Sequence, residues 1–147
     1  MKQALTFNLM ILSLLLGSCK KDASSDCQWN DSLLDGKMYR VTRAIQIRSY
    51  DTTDMTDQYT TGACSGARIS FSGGTATNGS PGCDLIFYYS SFQYSATVSN
   101  GQCLLNMVQS PGFMVGQKVS SYGCDSFTIK EELSGNTEQH YVTYTRQ

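Results

Sequence analysis

Short turn sequences between runs of alternating apolar and polar residues constrain the fold of this chain more than any other feature. Gly73-Gly74 and Asn100-Gly101 each provide a two-residue connection of the kind preferred in β-hairpins. Gly135-Asn136 provides a third connection of the same length near the C-terminus. Because a two-residue turn fixes which residues of the two strands face each other, these signals predict antiparallel hairpins with defined registers.

The first long strand is predicted from Lys37 to Arg48, where apolar and polar residues alternate. Such alternation is typical of a strand with one buried face. The residues expected on that face are Tyr39, Val41, Ile45 and Ile47. Arg43 interrupts this face. It either points inward and needs a partner, such as Glu131 or an acidic group on a ligand, or lies at a bulge that turns it outward.

The whole pattern predicts an all-β fold of about eight strands, with no convincing helix. Strands that follow one another in this way favour a small antiparallel up-and-down β-barrel, because closure removes exposed strand edges. The chain has 147 residues, and we place one barrel domain at residues 33–147. The near-neutral charge and the absence of a basic cluster argue against nucleic-acid binding.

The N-terminus is typical of an exported protein. Lys2 precedes an apolar run from Leu9 to Leu16 that is short for a spanning helix, and small residues then lead to Cys19. We therefore predict a signal peptide at residues 1–18. Residues 19–32 are polar and lack periodicity, so we interpret them as a flexible tether.

Six cysteines are present, and an exported compartment permits disulfide bonds. Cys64 and Cys83 face each other when the pairing of the first hairpin is extended, so we favour a bridge between them. Cys103 and Cys124 open two strands at the same end of a barrel and form the second candidate pair, with Cys27 as a competitor. The chain has no Cys-x-x-Cys motif and one histidine, so we predict neither a metal site nor a cofactor.

Leu16-Gly17-Ser18-Cys19 resembles the lipobox of bacterial lipoproteins. The resemblance implies cleavage before Cys19, a diacylglycerol on its thiol and an acyl chain on the new amino terminus. Several acyl chains on one residue hold a protein stably to a membrane. Lys20 directly after the cysteine is similar to lipoproteins that are delivered to the outer membrane, and we expect a lipid-anchored protein on its periplasmic or surface face.

The order of strands resembles a bacterial lipocalin-like domain on a lipoprotein of the Bacteroidota type. The segments that carry this resemblance are residues 35–41, residues 69–75 with Cys64 and Cys83, residues 94–105 and residues 127–146. Met38 stands where the lipocalin Gly-x-Trp motif has its tryptophan, and the single Trp29 lies earlier in the chain. The resemblance implies a barrel with a pocket.

Glu131 and His140 face each other if the last turn has two residues. A carboxylate beside the only imidazole is either an acid/base pair, a polar anchor in a pocket, or an ion pair near the end of a hairpin. With Arg43, these two residues are the candidate ligand-binding residues. No nucleophile-elbow, phosphate-loop or dehydrogenase motif is present, so an enzyme is not predicted.

These observations lead to one functional expectation and one alternative. We expect a lipid-anchored cell-envelope protein whose barrel binds a small apolar or amphipathic ligand. The alternative is a structural or interaction lipoprotein without a small-molecule pocket, such as an inhibitor or an accessory subunit of a surface complex with an envelope protein as its partner.

Overall fold

The computed structural model of the chain describes residues 19–22, 26–80, 82–83, 86–87, 89–109, 112–133 and 137–147. The elements in chain order are β1 (Lys20–Lys21), α1 (Asp31–Leu34), β2 (Lys37–Arg48), β3 (Asp51–Asp54), α2 (Thr56–Thr60), β4 (Arg68–Ser72), β5 (Thr75–Asn78), β6 (Ser91–Ser99), β7 (Gln102–Gln109), β8 (Phe113–Tyr122), β9 (Ser126–Leu133) and β10 (Glu138–Arg146). In this part of the chain, no helix is long and apolar enough to cross a membrane. The predicted signal peptide and the Gly135-Asn136 turn lie outside the described residues.

Eight of the strands form a closed antiparallel barrel. Starting from β2, the strands β4 to β10 follow in chain order, each paired with the next, and β10 pairs with β2 to close the barrel. This order confirms the predicted up-and-down barrel, in which neighbouring strands satisfy each other's backbone groups. Of the two additional strands, β3 pairs with β2, and β1 pairs in parallel with β8.

The registers predicted from the turns are confirmed. Phe71 faces Ala76 in the first hairpin and Tyr94 faces Met107 in the second. Both residues of each turn have positive φ, for example 56° at Gly73 and 50° at Asn100, as a tight hairpin turn requires. In the third hairpin β9 and β10 pair as a two-residue turn demands. We call the end of the barrel that carries the first two turns the base, and the opposite end the rim.

A β-bulge in β2 decides the direction of Arg43. Thr143 of β10 faces Arg43, but the next residue, Tyr144, faces Val41, so Thr42 is an extra residue in β2. The extra residue reverses the alternation of side chains beyond this point. Arg43 is consequently exposed: the alternative of a bulge that turns it outward is confirmed, and the inward position is wrong.

The same bulge moves two isoleucines to the outside of the barrel. Ala44, directly after Arg43, is fully buried, whereas Ile47 is 36% exposed. Ile45 and Ile47 therefore lie on the outer face with Arg43, and the prediction that they share the buried face of Tyr39 is wrong. Alternation alone cannot reveal this, because one inserted residue leaves each half of the strand regular.

Aromatic side chains fill the half of the lumen next to the base. The ring of Phe127 lies 5.0 Å from that of Tyr39 and 5.1 Å from that of Tyr144, measured between centroids. The rings of Phe71 and Tyr94 are 4.8 Å apart. Edge-to-face and stacked pairs of this kind add to the burial of apolar area. These contacts make this half of the barrel a packed aromatic core.

Two segments outside the barrel strands cover one side of the lumen, and a disulfide bond joins them. Tyr59 of α2 is 5% exposed, and Phe87 of the loop between β5 and β6 is 1% exposed. The amide of Asn78 donates a 2.6 Å hydrogen bond to the carbonyl oxygen of Phe87. The bridge between Cys64 and Cys83 links the two segments, which confirms the favoured pair.

The segment expected to be a flexible tether lies against the barrel in the residues that the structure describes. Trp29 is 4% exposed, and its ring centroid lies 5.7 Å from those of Tyr122 and Phe127. The indole nitrogen donates a 3.0 Å hydrogen bond to the carbonyl oxygen of Leu104. The packed part of the chain therefore begins before residue 33, because the single tryptophan covers apolar rings at the base.

The remaining cysteines do not form the predicted second pair, and Cys27, the predicted competitor, takes the place of Cys103 as the partner of Cys124. The bonds join Cys19 to Cys103 and Cys27 to Cys124, with Cα atoms 5.3 Å apart in each pair. The predicted Cys103–Cys124 bridge is therefore wrong. The backbone nitrogen of Cys19 donates to the carbonyl oxygen of Gly101 (3.2 Å), and this contact with the β6–β7 turn brings Cys19 beside Cys103. Every cysteine of the chain is paired in this structure.

Candidate functional site

A row of polar side chains crosses the inner wall of the barrel on four adjacent strands. We call this set the polar row, and its members are Gln46 on β2, His140 on β10, Glu131 on β9 and Gln117 on β8. His140 faces Gln46 on one side and Glu131 on the other, which confirms the predicted opposition of Glu131 and His140. The exposed fractions of His140, Gln117 and Glu131 are 5%, 8% and 9%.

An apolar layer lies next to the polar row on the side of the base. The layer next to it on the base side consists of Ala44, Val142, Ile129, Val119 and Cys103, each at most 3% exposed. Every second residue of a strand faces the inside of the barrel. Two residues along each strand are therefore enough for the inner face to change from apolar to polar. Buried polar groups are costly unless they are hydrogen-bonded, so this row needs partners.

Glu138 supplies a partner to the half of the row nearest β2. Its Oε1 atom lies 2.9 Å from His140 Nε2 and also accepts a hydrogen bond from the amide of Gln46. Arg48 lies on its other side, with Nε 3.4 Å from Oε2. The hydrogen bonds from Gln46 and, next in importance, from His140 hold the pKa of Glu138 below its ordinary value. Glu138 is therefore a carboxylate at neutral pH.

In the other half of the row, Gln117 and His140 approach Glu131 at longer distances. Gln117 Nε2 lies 3.5 Å from Glu131 Oε1, and His140 Nδ1 lies 3.7 Å from Glu131 Oε2. A separation of 3.7 Å is too long for a hydrogen bond. His140 Nδ1 is buried and has no hydrogen-bond partner among the residues that the structure describes.

The wall of the barrel opens beside Glu131. The pairing of β8 with β9 runs from the base up to Lys118 and Lys130, and none is seen above that pair within the described residues. A cleft of about 280 Å³ lies at this point. Gln117 and Glu131 line it on the inside, and Glu132 lines it on the outside with the two lysines. Glu132 is 3.5 Å from Lys118 and 2.8 Å from Lys130, so it neutralises part of their charge.

Apolar side chains connect the rim with the polar row. Phe113, Val115 and Gln117 share one face of β8, and Met107 of β7 lies opposite Val115. Met107 is 3% exposed, whereas Phe113 at the rim is 68% exposed. The inner face of β7 and β8 is therefore apolar between the rim and the polar row.

The structure joins two of the three predicted ligand-binding residues and separates the third. Glu131 and His140 are neighbours inside the barrel, but Arg43 lies on the outer face in a shallow groove with Ile45 and Tyr141. The described part of the chain contains no group of three His, Cys, Asp or Glu side chains that could hold a metal ion.

Three residues of the site were not predicted from the sequence. Glu138 lies two residues before His140 on β10, so both side chains face the same side of the sheet. The alternation of the predicted hairpin was therefore enough to place Glu138 beside His140. Prediction of Gln117 would have required the register between β8 and β9, and the turn that joins these strands has no clear sequence signature. Gln46 would have required knowledge of the bulge in β2, since simple alternation places it outside.

The polar row contains both donors and acceptors of hydrogen bonds. Carboxylate and imidazole groups accept hydrogen bonds, and the glutamine amides both donate and accept, so the row can orient one polar group in an apolar barrel. No protein-family model matches the chain, and no curated protein or solved structure shows significant similarity to it. The functional interpretation consequently depends on the chain's own residues.

Proposed function

We propose that this protein is a lipid-anchored binding protein of the cell envelope, and that its barrel holds the polar group of a small amphipathic molecule at the polar row. The observation that carries the proposal is the buried pair Glu131 and His140, which lies beside the cleft between β8 and β9. Binding sites typically combine an apolar wall with a few polar groups that fix orientation.

The shape of the free space favours an amphipathic ligand over a wholly apolar one. Aromatic rings occupy the lumen next to the base, so an oil-like molecule has no deep cavity there to fill. The cleft instead combines the apolar residue Val115 with the polar residues Gln117 and Glu131. An apolar body can lie against β7 and β8 while its polar end reaches the polar row.

Native mass spectrometry of the full-length protein, purified in detergent from its own envelope, tests this proposal. We expect wild-type protein to retain a small molecule and Glu131→Gln to lose it. Asp125→Asn is the control, because it also removes one carboxylate, but at the base of the barrel, where Asp125 pairs with Arg146. Absence of a bound molecule from the wild type, or equal retention by both variants, would contradict the proposal.

The proposed anchor is a lipid on Cys19, which follows the lipobox-like residues 16–18. A thioether to a lipid and a disulfide bond to Cys103 require the same sulfur atom and exclude each other. In the lipid-anchored protein the Cys103 side chain is therefore a buried thiol, while the Cys27–Cys124 and Cys64–Cys83 bonds remain.

Labelled palmitate and membrane fractionation distinguish the two fates of Cys19. We expect the wild type to take up label and to sediment with membranes, and Cys19→Ser to do neither. Cys103→Ser is the control, since it removes the disulfide partner and leaves the lipidation site intact. An intact mass of unlabelled protein with three disulfide bonds and no acyl groups would refute the anchor.

Exposed apolar residues at the rim favour a second candidate function, docking to another envelope protein. Tyr50 is 98% exposed, Met114 65% and Tyr89 52%, and all three belong to turns or strand ends at the rim. Cys19 is at the base, so these side chains point away from the proposed anchor. Chemical crosslinking in intact cells tests this function: a partner captured by wild type and lost in Tyr50→Ser with Met114→Ser supports it, and no partner with either argues against it.

A further inference from the structure

The nitrogen Nδ1 of His140 defines what the polar row is built to bind. His140 Nε2 lies 2.9 Å from Glu138 Oε1. Gln46 Nε2 also lies 3.1 Å from this nitrogen, but it already donates a hydrogen bond to Glu138. Because the Glu138 carboxylate can only accept, Nε2 carries the hydrogen in its contact with Glu138. In a neutral imidazole the other nitrogen, Nδ1, is then an acceptor. It is buried and lacks a hydrogen-bond partner among the described residues, so it needs a donor from elsewhere.

Glu131 presents a second acceptor next to this nitrogen. Its Oε2 atom lies 3.7 Å from His140 Nδ1. A donor nitrogen can be at ordinary hydrogen-bond distance, about 2.9 Å, from two atoms separated in this way. A group with several N–H bonds therefore complements the carboxylate and the ring, whereas a second acceptor would be repelled by both.

The charges that face the lumen also complement a cation. Glu131 and Glu138 both project inward in this part of the barrel. Arg48 lies near Glu138, but its side chain is 58% exposed and it is at the rim end of β2. Lys118 and Lys130 belong to the outer face, where each is within 3.5 Å of Glu132. An ammonium group at the polar row would meet carboxylates, and an anionic group would meet Glu131 first.

We infer that the amphipathic ligand of this barrel carries an amine, bound as an ammonium group between Glu131 and His140. The inference rests on the proposed function, because it names the chemical class of the molecule that the polar row holds. The ammonium group donates one hydrogen bond to His140 Nδ1 and one to Glu131 Oε2, and its alkyl part lies toward Val115 and Met107.

Nuclear magnetic resonance of the single histidine tests this inference directly. Full-length protein labelled with ¹⁵N-histidine gives one pair of imidazole nitrogen signals, because the chain has one histidine. The probes are hexylammonium, hexanol and hexanoate, which share a chain length and differ in their polar group. We expect hexylammonium to shift the Nδ1 signal with an affinity at least tenfold higher than that of the other two probes.

Two variants test whether binding depends on the Glu131 carboxylate. Glu131→Gln offers its own amide to His140 Nδ1, and we expect at least tenfold weaker binding of hexylammonium. Asp125→Asn removes a carboxylate at the base of the barrel, where Asp125 pairs with Arg146, and leaves the cleft unchanged, so we expect wild-type binding. The comparison of the three probes on wild-type protein needs no variant, so a folding defect in Glu131→Gln would not remove the test.

Other outcomes overturn the inference in distinguishable ways. If hexanol or hexanoate binds as tightly as hexylammonium and Glu131→Gln still weakens binding, the amine is wrong and the binding site stands. A second outcome is that both ring nitrogens carry hydrogen in the ligand-free protein and that hexylammonium changes neither signal. His140 would then be a cation that pairs with the Glu131 carboxylate itself, and the inference fails. If no probe binds and no molecule is retained from the envelope, the proposed function fails with it.

Discussion

Replacement of Trp29 tests whether the segment before the barrel is part of the folded core. Trp29 is 4% exposed, contacts the rings of Tyr122 and Phe127, and donates a hydrogen bond to the carbonyl oxygen of Leu104. We expect Trp29→Ala to lower the free energy of unfolding substantially, although the nearby Cys27–Cys124 bond still holds the segment to the barrel.

The size of the effect follows from the contacts. Truncation of a buried tryptophan to alanine costs about 3–5 kcal/mol, because apolar burial is lost and a cavity is left. Of this, the indole hydrogen bond to Leu104 accounts for about 1 kcal/mol. Trp29→Phe keeps a ring and loses that bond, so we expect a smaller loss, about 1–2 kcal/mol.

Urea unfolding followed by circular dichroism measures these losses, since removal of the single tryptophan abolishes its fluorescence signal. With a slope of about 2 kcal/mol per molar urea, Trp29→Ala should move the midpoint down by about 2 M. Tyr50→Ala is the control, because Tyr50 is 98% exposed, and its change should stay within about 0.5 kcal/mol. A Trp29→Ala midpoint equal to that of the control would refute the packing of this segment.

Three further predictions concern the barrel. Replacement of Cys64 and Cys83 together by serine should lower the free energy of unfolding by about 3 kcal/mol in urea melts, because the bond closes a loop with a sequence separation of 19. Burial raises the pKa values of Tyr39 and Tyr94 to about 12. The unfolded chain therefore loses these protons at lower pH than the folded chain, and the free energy of unfolding should fall as the pH rises from 10 to 12. Thermal melts across that range measure the fall, and unchanged stability would count against the burial of these side chains. Arg43→Ala should change stability by less than about 0.5 kcal/mol, and a larger loss in thermal melts would indicate an inward guanidinium.

The sequence by itself determined the features that depend on neighbours along the chain. Two-residue turns set the pairing of Phe71 with Ala76 and of Tyr94 with Met107, and the same rule placed Glu131 opposite His140. These pairings are local, because the length of a turn fixes the register of its two strands.

Only the tertiary structure decided the features that depend on closure of the barrel. The pairing of β10 with β2 joins the two ends of the domain, and the bulge at Thr42 that accompanies it turns Arg43 outward and brings Gln46 inward. The strands β8 and β9 bring Gln117 to Glu131.

The disulfide bonds show the same difference between local and tertiary determinants. The Cys64–Cys83 bridge follows from extension of a hairpin, and it could be predicted. The partner of Cys124 depends on where the N-terminal segment lies against the base, and no local pattern encodes that position. Contacts between segments separated by 97 residues are set by the packing of the whole barrel, because closing so long a loop has an entropic cost that local contacts do not offset.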